Sequence, residues 1–187
     1  MRAAIVSTYP PRACGIGAFA ADVRAALLGV EGVDRVERIV VVDEPSRPQR
    51  PGLVATIAQA VRGDYVRAAR ILGRLDVDVV LLQHEFGIFG GRDGEYVLSF
   101  AEELSQPLVV TLHTVLSEPT PHQAKVMSAL CEQAEIDHRL FEREQIALAV
   151  AAGDNGMRPP GDDVQNLRVA LDDRRECGDR GLEPVAG

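Results

Sequence analysis

The segment AAIVSTYPPRACGIGAFAADVRAALL, residues 3–28, decides the fold. Residues 3–7 are a short apolar run without polar alternation, which is typical of a parallel strand covered by helices on both faces. After a turn rich in proline and glycine, apolar residues such as Phe19 and Leu27 recur at helical spacing and predict a helix over 17–28. A buried strand, a loop and an amphipathic helix together form the first unit of an α/β fold.

The rest of the sequence repeats this alternation of strand and helix. We predict strands at 3–7, 36–42, 77–83 and 107–112, and helices at 17–28, 53–61, 65–75, 96–104 and 121–133. Residues 43–52 are rich in proline and should form an irregular loop. Because helices connect parallel strands in βαβ units, we expect a helix after each strand. The fold class that follows is an α/β Rossmann-like parallel sheet with helices on both faces.

The chain is expected to divide into one domain and a tail. Residues 1–152 would form the Rossmann-like domain, although no clear strand follows Glu135. Residues 153–187 contain no aromatic residue and are rich in glycine, proline and charged residues. Such a segment has too little apolar surface to fold alone, so we predict that it is disordered.

Composition argues against several classes of partner and location. The chain carries 28 acidic and 20 basic residues, a formal net charge of −8, so we expect no nucleic-acid partner. The three cysteines lack the spacing of a zinc site or a disulfide framework, which favours a reducing cytoplasm. No stretch approaches the roughly 20 apolar residues that span a bilayer, and we expect no transmembrane segment. Peripheral membrane contact stays open.

Polar and glycine-rich segments follow three of the predicted strands. In an open parallel sheet the ligand site lies outside the carboxyl ends of the strands. The candidate ligand-binding residues at these ends are Gly15, Ile16, Gly17, His84, Glu85, Phe86, Gly87, His113 and Thr114. We expect no metal ligand among them, because no second histidine follows His84-Glu85 at the spacing of a zinc protease.

Each of these segments allows two interpretations. The turn at Gly15 opens a helix, whose free amides suit an anion such as a diphosphate, and its position after the first strand favours this role over that of a plain turn. His113 could exchange hydrogen bonds with sugar hydroxyls or tie its loop. The pair His84-Glu85 could act in acid–base chemistry or form a structural hydrogen-bonded element. His122, beside Pro121, is expected to be a surface or capping residue, and a ligand-binding role is the alternative.

A dinucleotide-binding protein is a further alternative, because residues 15–20 match the pattern G-x-G-x-x-A. Two features count against it. Seven residues separate the first strand from Gly15, whereas the dinucleotide turn must be tight. Asp43 also lies farther on than the acidic residue of that motif.

Several long strings of this sequence resemble one enzyme family. They are STYPPR at 7–12, CGIG at 14–17, LQHEFGIFGG at 82–91, DGEY at 93–96 and TLHTVL at 111–116. The chain is similar in them to the amino-terminal half of retaining glycosyltransferases of family four, over about residues 2–135.

This resemblance implies a GT-B architecture, in which two Rossmann-like domains face each other across a cleft. It implies metal-independent transfer of a sugar from a nucleotide sugar to a carbohydrate or lipid-linked acceptor, without a further cofactor. The glycine turn at 15–17 would approach the donor diphosphate, His113 would lie against the transferred sugar, and residues 84–91 would line the acceptor side.

The carboxyl-terminal part of the sequence departs from the family. Nothing after Glu135 resembles the donor-binding domain that such enzymes carry. We therefore expect a truncated chain that is inactive alone or depends on a separate chain for its donor domain. The alternatives are a non-catalytic binding or scaffold module derived from such an enzyme, and a small Rossmann nucleotide-binding protein.

Overall fold

A computed structural model of the protein describes residues 1–44 and 51–134. Its strands are β1 (Arg2–Ser7), β2 (Arg35–Val42), β3 (Leu53–Ala58), β4 (Val79–His84) and β5 (Leu108–Leu112). Its helices are α1 (Gly15–Leu28), α2 (Arg62–Leu72), α3 (Tyr96–Glu103) and α4 (Pro121–Gln133), and two short 3₁₀ turns cover Phe86–Ile88 and Arg92–Gly94.

The strands form one parallel sheet in the order β3-β2-β1-β4-β5. The chain starts at the central strand, moves outward to β3 and then returns to the other side of β1. The sheet order therefore reverses between β1 and β4, which is the place where open α/β sheets bind ligands. The predicted Rossmann-like α/β fold class is confirmed.

Each face of the sheet is covered by its own hydrophobic cluster. On the α1 side, Ile5 packs among residues that include Val23 and Leu27. On the other side, Leu82 packs with a cluster that includes Tyr65 of α2 and Phe100 of α3. Because successive strand residues point to opposite faces, the continuous apolar run at 79–82 in β4 is buried on both faces.

One predicted helix is wrong. Residues 53–61 were expected to be helical, but 53–58 form β3, which pairs in parallel with β2. The β-branched residues Val54, Thr56 and Ile57 favour a strand, and Ile57 is completely buried in the core. The sheet thus has five strands among the described residues, and β3 rather than a helix is the next described element after β2.

The other predicted elements are confirmed, with shifted ends. The helix expected at 65–75 is α2 and begins three residues earlier, and the strand expected at 77–83 begins at Val79 and includes His84. The extent of the domain to residue 152 and the disordered tail at 153–187 lie outside the described residues, as does most of the loop at 43–52. No helix in the described part of the chain is long and apolar enough to cross a membrane.

The first turn of α1 is pressed against the end of β1 at Gly17. A Cβ atom on Gly17 would lie 3.2 Å from the Cα and amide nitrogen of Tyr9, whereas one on Gly15 would meet no atom within 4 Å. We expect Gly17→Ala to lower the free energy of unfolding by about 1 kcal/mol, because backbone atoms must move apart. Gly15→Ala should leave it unchanged or raise it by about 0.5 kcal/mol.

Urea denaturation of both variants, followed by far-UV circular dichroism because the chain has no tryptophan, measures this difference. Equal midpoints for the two variants would contradict the close contact at Gly17.

Candidate functional site

The ends of β4 and β5 and the start of α1 meet at one edge of the sheet. The ring of Phe19, in the second turn of α1, lies edge-on to the ring of His113 with their centroids 4.9 Å apart. The amide of His113 donates to the carbonyl of His84 at 3.0 Å. The hydroxyl of Thr114 donates to the carboxylate of Glu85. The structure therefore brings the three predicted segments together.

His113 is held on two sides and partly open to solvent. Its Nε2 lies 2.9 Å from Oε1 of Gln83, and Phe19 packs against the ring. Burial lowers the pKa of His113 below its usual value, although the charge of Glu85 acts in the opposite direction. The ring is therefore neutral at neutral pH and can both donate and accept hydrogen bonds.

Glu85 uses its carboxylate to order the loop that follows β4. One oxygen accepts from the amide of Phe86 at 2.9 Å, which caps the short 3₁₀ turn, and the other accepts from Thr114. Glu85 thus joins the β4 loop to the β5 loop. Phe86 is half-buried in this turn, and the next residue, Gly87, is exposed.

His84 is completely buried. Its ring stacks on Phe89 with a centroid distance of 5.9 Å and meets Phe86 edge-on at 5.1 Å. Neither ring nitrogen has a hydrogen-bond partner among the described residues. Burial lowers the pKa of His84 to about 4, against a smaller opposing effect of Glu85. The neutral ring supports the glycine-rich loop from below and has no exposed surface for a ligand.

The start of α1 keeps its amides close to the sheet edge. Gly15 is exposed, Ile16 is half-buried and Gly17 is buried against β1. The N-cap is Cys14, whose side chain makes no capping hydrogen bond. Burial alone would raise the pKa of the Cys14 thiol, but the Thr8 hydroxyl, the neighbouring amides and a nearby arginine outweigh it and lower that pKa. The local field at this helix end favours negative charge.

A second polar group, which sequence reasoning missed, joins the ends of β1, β2 and β3. One guanidinium nitrogen of Arg12 lies 3.1 Å from Asp43 and 3.2 Å from the side-chain oxygen of Gln59. The amide nitrogen of Gln59 donates to the carbonyl of Gly87 at 3.0 Å. Beside it is a cavity of about 390 Å³, lined by Asp43, Gln59, Ala60, Phe89, Gly90, Gly91 and Tyr96.

His122 connects α4 to the loop before α3. Its Nδ1 lies 2.8 Å from Asp93 and its Nε2 lies 3.2 Å from Glu95. The cap of α4 is Thr120, which exchanges hydrogen bonds with Gln123. His122 thus has a structural role apart from His113. Within 1–44 and 51–134, no three His, Cys, Asp or Glu side chains are arranged to hold a metal ion.

Known proteins resemble this chain weakly. No family model and no curated protein matches it. Two solved structures of an α-glucosyltransferase match this chain. One is in complex with UDP and a 13-mer DNA containing a central A:G mismatch, and the other is in complex with UDP. Their sequence identities are 11% and 12%, with a TM-score of 0.46 for both.

The matches cover 72% and 73% of this chain but 36% and 34% of those proteins, so the chain spans about a third of their length. The expected absence of a nucleic-acid partner stays a prediction.

Proposed function

We propose that this chain is the amino-terminal, acceptor-side domain of a GT-B-type glycosyltransferase, which transfers a sugar from a nucleotide sugar to a carbohydrate or lipid-linked acceptor. The sequence strings at 7–17, 82–91 and 111–116 support the family. The observation that carries the proposal is the contact of Phe19 with His113, because it places a neutral histidine beside the first turns of α1.

The two halves of a nucleotide sugar need different surroundings. The diphosphate needs positive partial charge, which the amides at the start of a helix supply at Gly15 to Gly17. The sugar needs neutral groups that exchange hydrogen bonds with hydroxyls, and His113 is such a group. The start of α1 lies after β1, beside the switch point between β1 and β4, and His113, which follows the neighbouring strand β5, contacts this helix through Phe19.

The acceptor is proposed to bind beside the loop after β4. This loop, with Gly87 exposed at its turn, is ordered by Glu85, Thr114 and Gln59. A second domain is proposed to complete the nucleotide site, because it would supply part of the electrostatic stabilisation of the leaving diphosphate. Without that domain the chain would transfer little or no sugar.

Calorimetric titration with UDP- and GDP-sugars tests the proposal on two proteins. The first is this chain, and the second is this chain joined to the donor domain of a family-four enzyme. We expect firm binding and sugar transfer only for the joined protein and not for the single chain. Absence of binding in both would contradict the proposal, and firm binding by the single chain would contradict the need for a second domain.

In the joined protein, His113→Ala should lower the rate of transfer by about 100-fold, as expected for the loss of one positioned polar group. Val115→Ala is the matched control, because this side chain in the same loop is 78% exposed. Equal losses in the two variants would contradict a direct role of His113.

A further inference from the structure

A buried glutamine lies beneath His113. Gln83, near the end of β4, is 1% exposed. Its amide nitrogen donates to the hydroxyl of Thr111 at 3.4 Å, on the strand that pairs with it at this position. Its amide oxygen therefore faces Nε2 of His113, 2.9 Å away. An oxygen at this place accepts a hydrogen bond, so the hydrogen of the imidazole lies on Nε2.

The rest of the His113 ring is fixed in the same arrangement. Phe19 holds the plane of the ring from the side, and the backbone of His113 is tied to His84. A neutral imidazole carries one hydrogen, so Nδ1 has a free lone pair. Nδ1 makes no hydrogen bond with the described residues and is not buried.

We infer that Gln83 is a positioning residue that fixes His113 as the Nε2–H tautomer, so that Nδ1 accepts a hydrogen bond from a ligand hydroxyl. A lone pair at this position attracts a hydroxyl hydrogen and repels a phosphate oxygen. Resting on the proposed function, this inference assigns His113 to the sugar part of the donor and excludes the diphosphate from contact with Nδ1. The tautomer sets which chemical group of the ligand the ring can recognise.

Long-range ¹H–¹⁵N NMR of the full chain, labelled at histidine, measures the tautomer directly. The chain has four histidines, and loss of one signal set in His113→Gln assigns the resonances. We expect His113 at pH 7 as neutral Nε2–H. Gln83→Leu, which removes the acceptor, should shift His113 to a mixture of tautomers while the signals of His84 and His122 stay unchanged.

Gln83→Glu separates positioning from packing. It keeps an oxygen acceptor at the same place, so the Nε2–H signature should return, with a higher titration midpoint because a carboxylate favours the imidazolium. Far-UV circular dichroism confirms that the variants are folded. A wild-type His113 protonated on Nδ1, or identical tautomers in wild type and Gln83→Leu, would overturn the inference.

Addition of ligands separates this inference from the proposed function. In the joined protein, UDP-glucose should move the Nδ1 resonance of His113, whereas UDP alone should leave it in place. If UDP moves Nδ1 as far as UDP-glucose does, the hydroxyl assignment is wrong. If no UDP- or GDP-sugar binds by calorimetry, the proposed function fails, and the tautomer measurement still decides the role of Gln83.

Discussion

Gly90→Ala is expected to lower the free energy of unfolding by about 3 kcal/mol or more, at the upper end of the cost of overpacking. A Cβ atom at this position would lie 1.9 Å from the carbonyl oxygen of Gln59 and 2.8 Å from the ring of Tyr96. The first contact is with backbone, which cannot turn away as a side chain can. The loop after β4 would have to separate from the end of β3.

That separation would also break a buried hydrogen-bond relay. The amide of Gly90 donates to the hydroxyl of Tyr65 at 2.8 Å, and this hydroxyl donates to the carbonyl of Gln59 at 2.9 Å. Tyr65 has no exposed surface, so a displaced loop would leave its polar atoms buried without partners. Such loss adds to the steric cost of the new methyl group.

The same loop offers a matched control in Gly87→Ala. A Cβ atom on Gly87 would meet no atom within 4 Å, so its free energy of unfolding should change by less than about 0.5 kcal/mol. Urea denaturation followed by circular dichroism compares the two variants. If Gly90→Ala is insoluble while Gly87→Ala is recovered in soluble form, the order of stability of the two variants is the same. Equal stability of the two would contradict the close approach at Gly90.

The sequence predicts the sheet because most of its strands are continuous apolar runs. Residues 79–82 are apolar throughout, which is characteristic of a strand buried on both faces. β3 was predicted as a helix because Leu53, Ile57 and Val61 recur at the spacing of one helix face. Its β-branched residues favour a strand, and the parallel pairing with β2, which is a tertiary contact, decides between the two structures.

The meeting of the three candidate segments was predictable, because the position after a parallel strand is set by topology. The side chains that contact these segments could not be predicted in the same way. Gln83 is the polar residue that follows the apolar run at 79–82, and its proximity to His113 depends on the register of β4 against β5. Gln59 follows the strand that was predicted as a helix. The difference between Gly87 and Gly90 likewise depends on neighbours that are distant in sequence.

His84 should make the stability of the protein depend on pH between about 6.5 and 4. The usual pKa of histidine, about 6.5, applies to the unfolded chain. In the folded protein burial lowers the pKa of His84 to about 4. Between these values the unfolded chain binds more protons than the folded one, so stability is complete above about pH 6.5 and falls as pH falls. From pH 7 to 4.5 the loss due to this residue should be about 2.5 kcal/mol.

His84→Leu should remove this part of the pH dependence, because leucine does not titrate. The difference in unfolding free energy between wild type and His84→Leu, measured in urea at pH 7 and at pH 4.5, isolates the contribution of His84 from that of the carboxylates. Leu82→Val is the matched control on the same strand, since Leu82 is completely buried and its loss of a methylene group costs the same at both pH values. If the difference in unfolding free energy between wild type and His84→Leu is the same at pH 7 and at pH 4.5, the buried ring keeps its ordinary pKa. The two aromatic rings around it would then not exclude water from its nitrogens.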